Sequence, residues 1–208
     1  MLFRFRIINT LNSLFKRIQH SLSNIQNFKK SVIKNQRVYI VGMPGSGKST
    51  WGKKLANALK YSFIDLDEMI EKTAGMSIEN IFEQKGEDYF REIENKCLVE
   101  TASLNNVLVS TGGGCPCYFN NMQLMNNIGI TVYLNANKGI LVDRILNARK
   151  QRPLFFNLLK PEIEVKIDEL LIKRIDYYIQ AKYTFGIPQE SVQTFVNKAS
   201  QLILTYGF

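Results

Sequence analysis

The chain has 208 residues, 45% of them hydrophobic and 22% charged, with a formal net charge of +9 and three cysteines. That length and balance suit one folded domain with an appendage, and they exclude a disordered, collagenous or disulfide-framework chain. No apolar run approaches the roughly 20 residues that span a bilayer, and so few cysteines suit a reducing, cytoplasmic setting.

The basic charge is concentrated at one end. Residues 1–36 carry Arg4, Arg6, Lys16, Arg17, Lys29, Lys30 and Lys34 and no acidic residue, while the other 172 hold 20 basic against 18 acidic groups, a net of +2. The body offers no basic groove and no nucleic-acid-binding motif, so no nucleic acid is expected as a partner. In the leading segment Phe3, Ile7, Leu11, Leu14, Ile18, Leu22 and Ile25 recur at steps of three and four, the stripe of an amphipathic helix. A packing helix or a start codon placed too early is the favoured reading of 1–36. An organellar import signal and a helix lying on a membrane surface are the lesser ones. The domain division is therefore 1–36, a basic extension, and 37–208, a catalytic unit.

From Val38 the chain alternates strand and helix. Val38–Val41 reads as a strand, Gly47–Lys60 as a helix and Ser62–Asp67 as a second strand. Two or three helices follow between about Glu68 and Leu104. Val107–Thr111, Thr131–Leu134 and Thr184–Ile187 read as further strands, with helices over Asn121–Asn127, Gly139–Ala148 and Glu162–Lys182 and a closing one to Tyr206. Lys150–Pro161 reads as a loop. Such alternation implies an α/β fold, a parallel sheet covered on both faces.

Gly42-Met-Pro-Gly-Ser-Gly-Lys-Ser49 matches G-x-x-x-x-G-K-[ST] and sits where that motif must, after an apolar strand and at the start of a helix. Gly42, Gly45 and Gly47 let the backbone curl so that successive N–H groups, with Ser46 and Thr50 alongside, face an anion. The helix N-terminus adds its partial positive charge. Lys48 is placed to bridge the β- and γ-phosphates of ATP and Ser49 to ligate Mg²⁺.

Asp65 and Asp67 stand two apart at the end of the second strand, a spacing that puts both on one strand face beyond the carboxyl edge of the sheet, where ligands of such folds bind. One is expected to face Mg²⁺ and the other an acceptor hydroxyl. Asp67 would equally serve as the N-cap of a helix starting near Glu68. Gly112-Gly-Gly114 follows a strand and lets the backbone approach a ligand closely. Arg91 and Arg174 suit a carboxylate fork, and Arg152, before Pro153, suits a lid that closes over phosphates.

These residues resemble the shikimate kinases, from about Val38 to Tyr183. The likeness rests on GxGKST at 45–50, Asp65/Asp67, Ile70-Glu71, the run Ser77-Ile78, Ile81-Phe82, Gly86-Glu87, Phe90-Arg91 and Glu94, then Gly112–Gly114, Tyr133-Leu134, Arg152-Pro153-Leu154, and Arg174 with Tyr178. The resemblance implies a doubly wound five-stranded parallel sheet of the P-loop kinase type. It also implies Mg²⁺-dependent transfer of the γ-phosphoryl of ATP to the 3-hydroxyl of shikimate. Carried over, Lys48, Asp67 and Arg152 are catalytic, and Asp65 reaches the metal through water. Asp67, Arg91, Gly113, Gly114 and Arg174 bind shikimate, and Arg144 stacks on adenine. A monomer is expected. Two alternatives stay open: another small-molecule kinase such as gluconate kinase, and an ATP-binding relative without catalysis. Cys115-Pro-Cys117 lacks the four ligands of a zinc site and reads as two reduced thiols beside the acceptor loop, their reactivity set by exposure and by local positive charge, for which Arg91 and Arg174 are candidates.

Overall fold

The computed structural model describes residues 19, 21, 36–148, 153–187 and 191–206. The stripe anticipated within 1–36 and the lid residue Arg152 thus lie outside the described residues, 19, 21 and Gln36 excepted. The first strand, β1 (Arg37–Val41), has Val38, Tyr39, Ile40 and Val41 fully buried. A strand apolar on both faces belongs at the centre of a parallel sheet, and β1 lies there. The sheet runs β2 (Ser62–Asp65), β3 (Val107–Ser110), β1, β4 (Ile130–Ala136), β5 (Tyr183–Ile187), every neighbouring pair parallel. The register sets Ile40 opposite both Ser110 and Val132, and Asp65 opposite Ser110.

Alternation along the strands divides the core into two layers. Val38, Ile40, Leu108, Val132, Leu134 and Phe185 face one way, against α1 (Lys48–Leu59) and α7 (Val192–Tyr206). Trp51 and Phe185 both meet Phe195 there, at centroid distances of 4.9 Å. Tyr39, Val41, Val107, Val109 and Tyr133 face the other way, against α2 (Leu66–Ala74), α3 (Ile78–Glu100), α4 (Asn121–Ile128), α5 (Lys138–Leu146) and α6 (Lys160–Tyr178). Among the described residues no helix is long and apolar enough to cross a membrane.

One boundary differs from the sequence reading in a way that matters. The second strand ends at Asp65, and α2 begins at Leu66, not near Glu68. Asp65 keeps an extended backbone while its Oδ1 accepts the Asp67 N–H at 3.1 Å, so Asp65, and not Asp67, caps the helix. Asp67 therefore sits in the first turn of α2, and the two carboxylates do not share a strand face. A local side-chain bond to the backbone outcompeted two further residues of strand.

Helix α3 is broken at Gly86, whose backbone (φ 83°, ψ 175°) is not helical. The break re-aims the second half of α3, which carries Arg91 and Glu94 inward; both are buried. A Cβ at Gly86 would have nothing within 4 Å, so the requirement is conformational and not steric. Gly86→Ala is expected to destabilise the fold by about 1–3 kcal/mol, the cost of a non-glycine residue in that region, read as a lower urea midpoint at unchanged slope. An unaltered midpoint would mean that the break relaxes at no cost.

Candidate active site

The carboxyl ends of β1, β2 and β3 meet where the strand order reverses, the place at which parallel sheets bind ligands. β1 runs into the phosphate loop, Gly42–Gly47, with Gly47 at the left-handed N-cap of α1. Lys48 is buried, and its Nζ donates to the carbonyls of Gly42 (2.9 Å) and Met43 (3.0 Å), which holds the ammonium across the loop. Ser49 Oγ donates to Asp65 Oδ2 at 2.6 Å and lies 3.2 Å from Ser110 Oγ. These are hard oxygen donors of the kind Mg²⁺ takes. Among the described residues no three His, Cys, Asp or Glu side chains gather in a metal-holding cluster, so protein ligands to a cation would come from this hydroxyl and carboxylate. Arg144 reaches the outside of the loop, its Nη1 donating to the carbonyls of Ser46 (2.9 Å) and Gly45 (3.2 Å). Thr50 is exposed on α1.

The acceptor side is built on Gly112–Gly114, after β3. A Cβ at Gly112 would lie 2.7 Å from Glu94 Oε1 and 3.2 Å from Asp67 Oδ1. At Gly113 it would lie 2.7 Å from Pro44 Cδ and 3.2 Å from Arg174 Nη1, and at Gly114 within 2.9–3.2 Å of the Arg91 guanidinium. A side chain at Gly113 would meet the rigid Pro44 ring, and one at Gly112 or Gly114 would displace the functional ends of Glu94 or Arg91. Asp67, Arg91, Glu94 and Arg174 thereby converge on one stretch of backbone, with the phosphate loop touching its middle.

Arg91 is held from two sides. Its Nη1 donates to Glu94 Oε2 at 2.8 Å, and its Nε (3.2 Å) and Nη2 (2.9 Å) donate to Glu87 Oε1, which also accepts the Tyr118 hydroxyl. The Tyr118 ring lies 4.2 Å from the guanidinium carbon. Those bonds use three of the five N–H donors of an arginine, and the other two sit on the terminal nitrogens. The bond from Arg91 holds the Glu87 carboxyl below its ordinary range. Arg174 is as buried as Arg91, and its Nη1 is enclosed without a hydrogen-bond partner. An unpartnered buried donor costs on the order of 1–3 kcal/mol, and a carboxylate at this point would remove that cost.

The thiols behave differently from the sequence reading. Cys115 is fully buried and Cys117 partly so. Burial pushes Cys115 well up and Cys117 to about 11, although Arg174 and Arg91 pull Cys117 down. Desolvation outweighs the nearby positive charge, so neither is an activated nucleophile. Glu94, Glu87, Tyr118 and Tyr178 are site members to which the sequence reading gave no role. The i,i+3 and i,i+4 spacings of Arg91–Glu94, Glu87–Arg91 and Arg174–Tyr178 are the signal that each pair shares a helix face.

Glu94, 1% exposed, is raised to about 7 by burial, only partly offset by Arg91, and Asp67 adds to the rise. The folded chain then holds a proton that the unfolded chain releases near the ordinary 4.5. The contribution of Glu94 to stability is thus fullest below about 4.5 and is lost as pH rises to about 7, by on the order of 3 kcal/mol. Glu94→Gln is expected to remove this fall, measured as urea midpoints at several pH values against the parent protein. Parallel pH profiles for the two would show that Glu94 titrates alike in the folded and unfolded chains.

A family model for shikimate kinase matches residues 44–203. The shikimate kinase of Phocaeicola vulgatus is 43% identical over 149 residues, 72% of this chain and 85% of that protein. The structure of shikimate kinase from Bacteroides thetaiotaomicron superposes with a TM-score of 0.77 at 37% identity, covering 81% of this chain and 98% of the other. That of Acinetobacter baumannii shikimate kinase in complex with shikimate does so with a TM-score of 0.76 at 34% identity, covering 85% and 97%. The matched stretch runs from inside the phosphate loop, through the glycine triplet and its two arginines, into α7, and on this ground the chain belongs to the shikimate kinase family.

Proposed function

We propose that this protein transfers the γ-phosphoryl group of ATP to the 3-hydroxyl of shikimate. The observation that carries this reading is the convergence of two buried guanidiniums and Asp67 on a side-chain-free backbone that touches the phosphate loop. Shikimate offers one carboxylate and three hydroxyls, and the Acinetobacter baumannii relative binds it. The acceptor carboxylate lies between Arg91 and Arg174, where the terminal N–H groups of Arg91 and the enclosed Nη1 of Arg174 meet it. Gly113 and Gly114 bring backbone to the ring. Asp67 takes the acceptor hydroxyl and receives its proton as the oxygen attacks.

On the donor side the loop amides Gly45–Thr50 cradle the phosphates. Lys48 neutralises charge that builds on the transferred group. Ser49 and Asp65 are the residues that would hold Mg²⁺, which when bound offsets phosphate charge. Arg144, seated on the loop, borders the nucleotide, and Arg152, outside the described residues, keeps the lid-arginine role that the family resemblance implies. The catalytic unit is 37–208, with the basic segment 1–36 outside the chemistry. It works as a monomer.

An assay of ADP release with shikimate, gluconate, AMP and no acceptor tests the assignment. Release is expected with shikimate alone, and equal release with gluconate or AMP would overturn it. Lys48→Ala should lower turnover with any acceptor, whereas Asp67→Asn should abolish it with ATP binding intact. Arg91→Lys and Arg174→Lys keep the charge but lose the fork. Each is expected to weaken shikimate binding by about 1.5–3 kcal/mol, the value of a charge-assisted hydrogen bond. A Michaelis constant for shikimate unchanged in both would move the carboxylate elsewhere.

A further inference from the structure

Tyr178 is fully buried at the end of α6, one turn beyond Arg174, so the two side chains share a helix face. Its hydroxyl donates to the Gly113 carbonyl at 2.5 Å and lies 3.8 Å from Met43 Sδ. A phenol has one proton. The carbonyl is the closer and stronger acceptor, so the Met43 sulfur packs against the oxygen without taking its hydrogen. The ring stacks on Tyr133 of β4 at 5.1 Å, which fixes the direction of the O–H. Burial pushes the phenol far above its ordinary range, so it remains a donor at any working pH.

Gly113 is pressed on its other side by Pro44, the residue after Met43 in the phosphate loop. The nucleotide loop thus meets the acceptor loop twice within two residues. Once it does so directly, Pro44 on Gly113. Once it does so through the Tyr178 hydroxyl, between Met43 and the Gly113 carbonyl. Because a trans peptide is planar, fixing that carbonyl also fixes the Gly114 N–H, pointing the opposite way.

We infer that Tyr178 is a positioning residue that locks the Gly113–Gly114 peptide to the phosphate loop and so makes shikimate affinity depend on nucleotide occupancy. The inference rests on the proposed shikimate site. Without the hydroxyl, the half-buried Gly113 carbonyl loses its donor, and the loop is free to shift relative to Met43, Pro44 and Arg174.

The test measures shikimate dissociation constants by calorimetry with and without saturating ADP, together with KM and kcat. The parent protein should bind shikimate several-fold more tightly with ADP. Tyr178→Phe keeps the stacked ring and should bring that ratio close to one, raising KM for shikimate about five- to tenfold with a smaller change in kcat. Tyr39→Phe, which removes another buried hydroxyl, bonded to Thr101 at 2.9 Å and not to the Gly113 carbonyl, controls for stability and should leave the ratio intact. In the parent protein ADP alone should slow amide exchange over residues 112–117, a readout that needs no variant. A parent ratio of one, a Tyr178→Phe ratio equal to the parent's, an equal loss in Tyr39→Phe, or exchange indifferent to ADP would each overturn the role of Tyr178. A parent protein that phosphorylates no shikimate would instead remove the function on which the role stands.

Discussion

The site depends on one steric constraint, the absence of side chains at Gly112, Gly113 and Gly114. Each would place a Cβ within about 3 Å of a different partner: Glu94, Pro44 or the Arg91 guanidinium. Contact at that range is available only to bare backbone. It lets α3, α6, α2 and the phosphate loop deliver functional groups to a span of three residues. A methyl group would displace the Glu94 carboxyl at Gly112, the Pro44 ring of the phosphate loop at Gly113 or the Arg91 guanidinium at Gly114.

Close approach of charges carries its own cost, and the arrangement offsets it by pairing. Arg91, Arg174, Glu94 and Lys48 are all buried, and a buried charge without a partner is expensive. Arg91 is satisfied by Glu94 on its inner side and by Glu87 and Tyr118 on its outer side. Lys48 spends its donors on loop carbonyls. Arg174 differs in that one nitrogen stays unmatched within the protein.

Much of this was legible in the sequence because it follows from short-range rules. The burial of β1, β3 and most of β4 on both faces comes from runs of branched apolar residues, and the phosphate loop comes from fixed spacing after a strand. What was misread turned on competition between local forces. Asp65 took the capping position because its carboxylate reached the Asp67 amide, which moved Asp67 from strand to helix. For the Cys115 and Cys117 thiols exposure and nearby charge were both in play, and burial, which no single segment reveals, decides between them. Glu94 and Tyr178 stood in plain view in the sequence, but what they contact, Arg91 across one helical turn and Gly113 across 65 residues, is set by the break at Gly86 and by how α6 packs. Neither can be read from a single segment. Arg152 and the stripe within 1–36 lie outside the described residues.

Asp65 shows how tightly such a site can be interlocked. One of its oxygens caps α2 and the other receives the Ser49 hydroxyl from α1, so a single carboxylate joins the end of a strand to the starts of two helices. A substitution at this position is therefore pleiotropic, disturbing the cap and the Ser49 bond together. Asparagine would keep a competent cap but give up the negative charge, and glutamate would keep the charge but lengthen the reach that capping requires. Neither change leaves both bonds as they are, because the cap and the Ser49 bond draw on the two oxygens of one group. Adjustment that spares the joint would have to come from neighbours such as Ser110, whose hydroxyl donates to that of Ser49 and leaves the carboxylate untouched.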